Sequence, residues 1–339
     1  MSTTVFVSGA TGFIAQHIVK LLLENNHKVV GSVRSAKKGE ELTSSIKNAG
    51  LSADNFTFEV VEDIAAKGAF DEALKKHPQV TVFLHTASPF HFDVKDIKKD
   101  LIDPAVEGTT NALNAIKEYG SSVKKVVVTS SYATVSGFGE LVTPGKTVDE
   151  TSWNPITHEQ ALKDPMAGYI GSKKFAEKTV WDFIEQNKPQ WQVSIINPVY
   201  VFGPQAFEVK DKSKLNTSNE IINSILKAGK DKDQPQQFAG YFIDVRDVAK
   251  AEIVAFEKEE AVDQRLILSE GPFTTDKILN ILKKDFKQLE LPTLDESKKI
   301  NWDSTESIIN NEKTKKILGF KFIDLEQSVD DTVAQILND

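Results

Sequence analysis

The chain contains no cysteine, only two methionines, and no apolar run approaching the roughly eighteen residues that a membrane-crossing helix needs. Without thiols there can be no disulfides, no thiolate zinc site and no cysteine nucleophile. Six histidines remain as possible metal ligands, and no two of them stand at a metal-binding spacing. A basic excess is missing too: 41 Lys and Arg against 49 Asp and Glu leave a net charge of -8. Nucleic acid and anionic membranes are therefore not the expected partners. The first strand starts at Thr3 or Thr4, with no basic leader or long apolar segment ahead of it, so the expected compartment is the cytoplasm. Asn55-Phe-Thr57 and Asn216-Thr-Ser218 match the glycosylation sequon, and without a secretory leader they read as chance matches.

What is present suffices for a folded, soluble protein of one large domain plus a small lobe: 339 residues, 40% apolar and 27% charged. Short β-branched runs alternate with amphipathic segments through the first two hundred residues, the pattern of βαβ units in a parallel sheet. The runs are TTVFVSG (3–9), KVVGSV (28–33), FTFEVV (56–61), TVFLHTA (81–87), KKVVVTSS (124–131) and QVSIINP (192–198). Their nearly uniform apolar character implies helices on both faces. The expected fold is α/β, a Rossmann-type doubly wound parallel sheet over 1–200 with a smaller C-terminal α/β substrate lobe over 201–339. Some of the later chain, about 241–258, should return to the first domain. Between 136 and 168 the pattern lapses, and a loop of that length suggests a substrate rim or lid. Further helices are expected near 220–229, 273–287, 305–317 and 324–337, with a strand at 265–270.

The first strand runs into SGATGFIA, where Gly9, Gly12 and Ala15 hold the three positions of a Gly-x-x-Gly-x-x-Gly/Ala turn ahead of a helix. Gly9 permits a sharp turn, Gly12 lets the backbone approach a pyrophosphate, and Ala15 allows close helix-on-sheet packing. A merely tight turn is the competing reading. A site for NAD would place a carboxylate near the end of the second strand. This strand instead ends in Val33-Arg34, with Lys37 and Lys38 beyond it and no acid before Glu40. A guanidinium forks onto phosphate, which favours NADPH, unless the segment is simply a solvated basic loop. Asp63 suits either an adenine amino group or a helix N-cap.

Tyr169-Ile-Gly-Ser-Lys173 lies on an expected helix, and residues four apart share a helix face. A phenol with an ordinary pKa of ~10 is a poor proton source at neutral pH, but a neighbouring ammonium and an oxidised nicotinamide both favour its anion and lower that value. The pair can therefore protonate the alkoxide formed when a carbonyl accepts a hydride. Ser130 and Ser131 close the fifth strand, at the carboxyl edge where open sheets bind ligands, and a hydroxyl there can hold the substrate oxygen. Tyr-x-x-x-Lys pairs arise often by chance. Their order after the glycine turn and the serine pair, and before a strand ending in Asn197-Pro198, is what makes this one specific.

Five ordered segments carry a family resemblance: LHTASPF (84–90), TSSYATV (129–135), YIGSKKFAEK (169–178), NPVYVFGPQ (197–205) and YFIDVRDVAKA (241–251). With them the chain resembles the extended short-chain dehydrogenase/reductases, and within these the dihydroflavonol and cinnamoyl-CoA reductase branch. The resemblance implies catalytic roles for Ser131, Tyr169 and Lys173 in the NADPH-dependent reduction of small aldehydes and ketones. It implies cofactor contacts from Ser8, Gly9, Ala10, Thr11, Gly12 and Phe13, from Arg34 and Lys38, from Asp63 and Ile64, and from Ala87, Tyr169, Lys173, Val201 and Ser218. Phe90, Tyr132, Phe138 and Tyr200 would line an apolar substrate pocket, or else belong to the core. His85 reads as a satisfied strand-end residue, and Asp244, Arg246 and Asp247 as capping and inter-lobe bonding. Two rivals remain. One is a nucleotide-sugar epimerase or dehydratase, which would call for arginines that 204–240 lacks; the other is a non-catalytic NADPH-sensing protein, against which the intact trio argues.

Overall fold

The computed structural model describes residues 3–88, 94–137, 144–208, 215–229, 235–294, 297, 300 and 307–338. Its strands are β1 (Thr4–Ser8), β2 (Lys28–Val33), β3 (Phe56–Val60), β4 (Val82–His85), β5 (Lys125–Thr129), β6 (Thr147–Val148), β7 (Gln192–Pro198), β8 (Tyr200–Phe202), β9 (Ala239–Asp244), β10 (Arg265–Leu268), β11 (Gly271–Thr274) and β12 (Ile308–Ile309). Its helices are α1 (Phe13–Glu24), α2 (Ala36–Asn48), α3 (Asp71–Lys76), α4 (Asp103–Tyr119), α5 (His158–Ala161), α6 (Pro165–Asn187), α7 (Thr217–Ala228), α8 (Val245–Glu257), α9 (Thr275–Asp285), α10 (Glu312–Leu318) and α11 (Leu325–Asn338). None of the described helices is long and apolar enough to cross a membrane.

The two-residue period of a strand sends neighbouring side chains to opposite faces, and in β1 both faces are dry. Val5 and Val7 enter a core with Ile18 and Leu22 of α1 and Val248 of α8, while Phe6 enters another with Phe70, Phe83 and Ile116. This double burial is what the apolar runs of the sequence encode. The resulting seven-stranded sheet has the order β10-β7-β5-β4-β1-β2-β3, with every pairing parallel. Strand order reverses between β1 and β4, so a crevice opens at the carboxyl ends of these strands, the usual ligand edge of such sheets.

A second, three-stranded sheet, β11-β9-β8, packs with α7, α9 and α11 around Phe202, Phe242 and Phe273. It forms the smaller lobe. The sequence division needs one amendment: β10, expected beyond the first domain, pairs in register with Ile195–Pro198 of β7 at the edge of the large sheet. Helix α8 likewise packs on α1.

Two local expectations also change. The 136–168 segment is no continuous loop, because β6 and α5 lie within it and α6 begins at Pro165, where Asp164 accepts a bond from Ala167 N and proline suits the first helical turn. The helix expected over 305–317 starts only at Glu312. Ahead of it, the β-branched pair Ile308 and Ile309 runs parallel to Thr147 and Val148, and Asn311 donates to the carbonyls of Ile267 and Ser269.

Candidate active site

At the end of β1 the chain turns sharply, with Gly9 at φ 66°. A side chain there would be strained, and its Cβ would stand 3.1 Å from the Cα and Cβ of Ala87. The turn is closed by Gly12 N donating to Gly9 O at 2.9 Å and Ala10 N donating to Ser32 O at 2.9 Å. Gly12 occupies the N-cap of α1 without a side-chain cap, so the first-turn N–H groups are left for a ligand. Gly12 is exposed, Thr11 and Phe13 are half-buried beside it, and Ala15 is buried against the sheet. Ser8 lies underneath, fully buried. Its Oγ accepts from the N–H groups of Thr86 and Ala87, each at 3.0 Å, and lies 3.0 Å from Nδ1 of His85. The Ser8 hydroxyl therefore ties β1 to the end of β4, fixing the cleft floor. His85 is the satisfied strand-end residue expected, and burial, helped by the charge of Lys173, brings its pKa down to about 4.

The other expected cofactor residues differ in what their side chains already do. Arg34 is exposed just past β2. Lys38 is exposed too, and pairs with Glu41 at 3.0 Å, a carboxylate one turn along α2. Asp63 accepts from Ala65 N at 2.9 Å, so its carboxylate caps a turn. Ile64 sits over Gly108, where a Cβ would come within 2.7 Å of Ile64 Cδ1, and Ile64 O accepts from Asn111. Val201 is buried in the core of the large domain, whereas Ser218 opens onto the cavity described below. Asp244 caps α8, and Arg246 bonds both Asp244 and Asp331 of α11, the inter-lobe bonding expected of this cluster.

Ser131, Tyr169 and Lys173 come together. Ser131 follows β5, its Oγ accepts from Ala133 N at 3.1 Å, and it is hydrogen-bonded to the Tyr169 phenol. Lys173, one turn along α6, has Nζ 5.9 Å from the centre of the Tyr169 ring. Burial pushes the Tyr169 phenol up from its ordinary value, while the Ser131 bond pulls the other way. Burial also lowers the Lys173 ammonium to about 8. Within the protein alone the expected lowering of the phenol is absent, because burial of the phenolate is the largest influence on it and the Ser131 bond offsets that only in part.

In front of this pair lies a cavity of about 630 Å³ between the two lobes. Tyr132 and Tyr200 line it as expected; Phe90 and Phe138 fall outside the described residues. Sequence reasoning missed much of its wall: Met166, Ile170, Ile221 and Phe238, with Tyr241, Glu220 and Gln236 as polar members. None of the described lining residues is basic. It also missed the buried pair Glu177 and Arg265 behind Ser131, although the spacing of Glu177 from Tyr169 and Lys173 was a usable signal.

Three comparisons bear on this geometry. The pattern of the NAD dependent epimerase/dehydratase family matches residues 5–268. The putative NADPH-dependent methylglyoxal reductase GRP2 of Candida albicans is 62% identical over 338 residues, covering 99% of both chains. The NADPH-dependent methylglyoxal reductase GRE2 of Saccharomyces cerevisiae is 47% identical over 340 residues, covering 98% of each. A crystal structure of Gre2 from Candida albicans in complex with NADPH superposes with a TM-score of 0.93 at 48% identity, covering 99% of each chain. Fold, glycine turn and matched length agree: the chain belongs to the NAD dependent epimerase/dehydratase family.

Proposed function

We propose that this protein is an NADPH-dependent carbonyl reductase acting on small aldehydes and ketones such as methylglyoxal and 3-methylbutanal. The observation that carries the reading is the hydrogen-bonded pair Ser131 and Tyr169 opening onto a largely apolar cavity with no basic residue in its described lining. A nucleotide-sugar epimerase would need cationic partners for a diphosphate, and the described lining residues offer none. A largely apolar cavity whose lining includes the Ser131 and Tyr169 hydroxyls suits a small carbonyl compound. The full-length relatives named as NADPH-dependent methylglyoxal reductases support the same class.

The residues fit the cofactor. The turn at Gly9 has a positive φ that disfavours a side chain, the α1 N-terminus has no side-chain cap, and exposed Arg34 follows a strand end without a carboxylate. Gly9 to Phe13 would hold the pyrophosphate, Arg34 the 2′-phosphate, with Lys38 beside it once released from Glu41, and Lys173 the nicotinamide ribose. When bound, NADPH supplies the hydride. Ser131 then holds the carbonyl oxygen beside Tyr169, and the Tyr169 hydroxyl gives its proton to that oxygen as negative charge develops there. A phenol kept protonated by burial is the right starting state for a donor. Lys173, positively charged below about pH 8, stabilises the phenolate left behind.

Cytoplasmic residence belongs to the same reading. The test is a carbonyl panel with NADPH and with NADH, followed by loss of cofactor absorbance. Turnover of small aldehydes and ketones with NADPH is expected. A protein that binds NADPH but turns over nothing in the panel would be the sensor instead.

A further inference from the structure

Tyr169, Lys173 and Glu177 recur every four residues along α6 and so share one stripe of the helix. Tyr169 lines the cleft, whereas Glu177 is turned into the protein, with no exposed side-chain surface. Its Oε1 accepts from Arg265 Nε at 2.6 Å, and its Oε2 accepts from Ser130 Oγ at 2.6 Å and Asn197 Nδ2 at 2.8 Å. Thr134 Oγ1 lies 2.7 Å from the same oxygen. Arg265 is held in turn by the carbonyls of Glu150 and Ser152, and its Nη2 donates to Thr134 Oγ1 at 2.8 Å.

Two of these groups also hold Ser131. Its carbonyl oxygen lies 2.9 Å from Thr134 Oγ1 and 3.2 Å from Asn197 Nδ2. Asn197 Nδ2 lies within hydrogen-bond reach of Glu177 Oε2, of the Ser131 carbonyl and, at 3.0 Å, of Thr134 Oγ1, so its two protons are shared among three acceptors and bridge the buried carboxylate to the peptide group that carries the serine. Thr134 has a single proton between the same two acceptors, while Arg265 and Asn197 donate to it. Removing two charges from water is expensive, and an apolar cluster of similar volume would be as stable or more so. What the charged cluster supplies is direction, since Asn197 and Thr134 are each held between the Glu177 carboxylate and the Ser131 carbonyl oxygen.

We propose that Glu177, clamped by Arg265, is a positioning residue that aims Ser131 at Tyr169 and at the substrate oxygen through Asn197 and Thr134. The proposal rests on the roles assigned to Ser131 and Tyr169 above. Ser130 has a different task from its neighbour: its hydroxyl bonds the Glu177 carboxylate.

The test uses Glu177→Gln, which keeps the shape and removes the charge, together with Thr134→Val and the conservative Thr134→Ser. Because Glu177→Gln leaves Arg265 uncompensated and can fail to fold, the two Thr134 variants decide the matter by themselves in that event. In Glu177→Gln and Thr134→Val, kcat for carbonyl reduction should fall on the order of 10- to 100-fold, the scale of a slightly misplaced reacting group. NADPH affinity, read by fluorescence titration, should stay as in the parent. In alcohol oxidation with NADP+, the pH midpoint of the rate should move upward, because the Ser131 bond that lowers the Tyr169 pKa is no longer well aimed. Thr134→Ser should restore both values. A folded Thr134→Val protein with parental kcat and parental midpoint would overturn the proposal. So would a kcat loss that only tracks a matching loss of NADPH affinity and melting temperature. If the unaltered protein turns over no carbonyl, the assignments of Ser131 and Tyr169 fall first; parental turnover with insensitive variants removes Glu177 alone.

Discussion

The Lys173 ammonium stands 5.9 Å from the centre of the Tyr169 ring, one turn along the same helix, and burial holds its pKa at about 8 rather than 10.5. The site thus keeps a partly desolvated cation at a cost to the fold. A lysine with a depressed pKa binds its proton less tightly folded than unfolded. Its cost is fully present below about pH 8 and fades as pH rises towards 10.5. Lys173→Met should therefore raise stability at pH 7 by up to about 3 kcal/mol, and the gain should shrink by pH 10. Carbonyl reduction should be lost in the same variant. Thermal melting at both pH values, beside a turnover assay, checks this pairing of greater stability with lost activity.

Tyr169→Phe keeps the ring in its packing and removes the proton. Turnover should drop by about 10²- to 10⁴-fold, the range for a general acid, with NADPH binding retained. Rate and fluorescence titration on the same preparation separate the two effects, and retained turnover would take the proton-donor role away from Tyr169.

Arg34 is exposed beyond β2 with no acid before Glu40 in the sequence, and its guanidinium is the proposed partner of the 2′-phosphate. Arg34→Glu should lower kcat/KM for NADPH by about 10- to 100-fold through loss of charge-assisted bonds and the new repulsion, leaving NADH much less affected. The ratio of kcat/KM for the two cofactors is the measurement; an unchanged ratio would reduce Arg34 to a loop residue.

Glu252 of α8 is fully buried, accepts a bond from Thr129 at the end of β5, and is pushed up to about 7 by burial. Its folded pKa lies above the ordinary 4.5, so the folded state binds the extra proton between these values and stability falls as pH rises through that window. Glu252→Gln keeps an acceptor for Thr129 without a titrating proton. It should be more stable than the parent by up to about 3 kcal/mol at pH 8, with no difference below pH 4.5. Denaturant melts at pH 4 and pH 8 decide it.

The sequence by itself determined the parts that depend on short spacings. A glycine turn between a strand and a helix, β-branched runs at βαβ intervals, and a tyrosine and lysine one helical turn apart are local patterns, and these specified the parallel sheet, the cofactor edge and the trio. The absence of an acid after β2 was equally legible. Only the tertiary structure decided the rest, because it depends on which distant groups meet. Ser130 and Ser131 are indistinguishable in sequence, and it is Glu177, forty-six residues beyond Ser131, that takes the first hydroxyl and leaves the second facing Tyr169. Lys38 pairs with Glu41, Asp63 caps a turn, and β10 returns to the large sheet through contacts that no local pattern announces. The protonation of the trio was decided in the same way. Pairing is expected to lower the phenol, but the fold buries both Tyr169 and Lys173, and the loss of water raises the first and lowers the second.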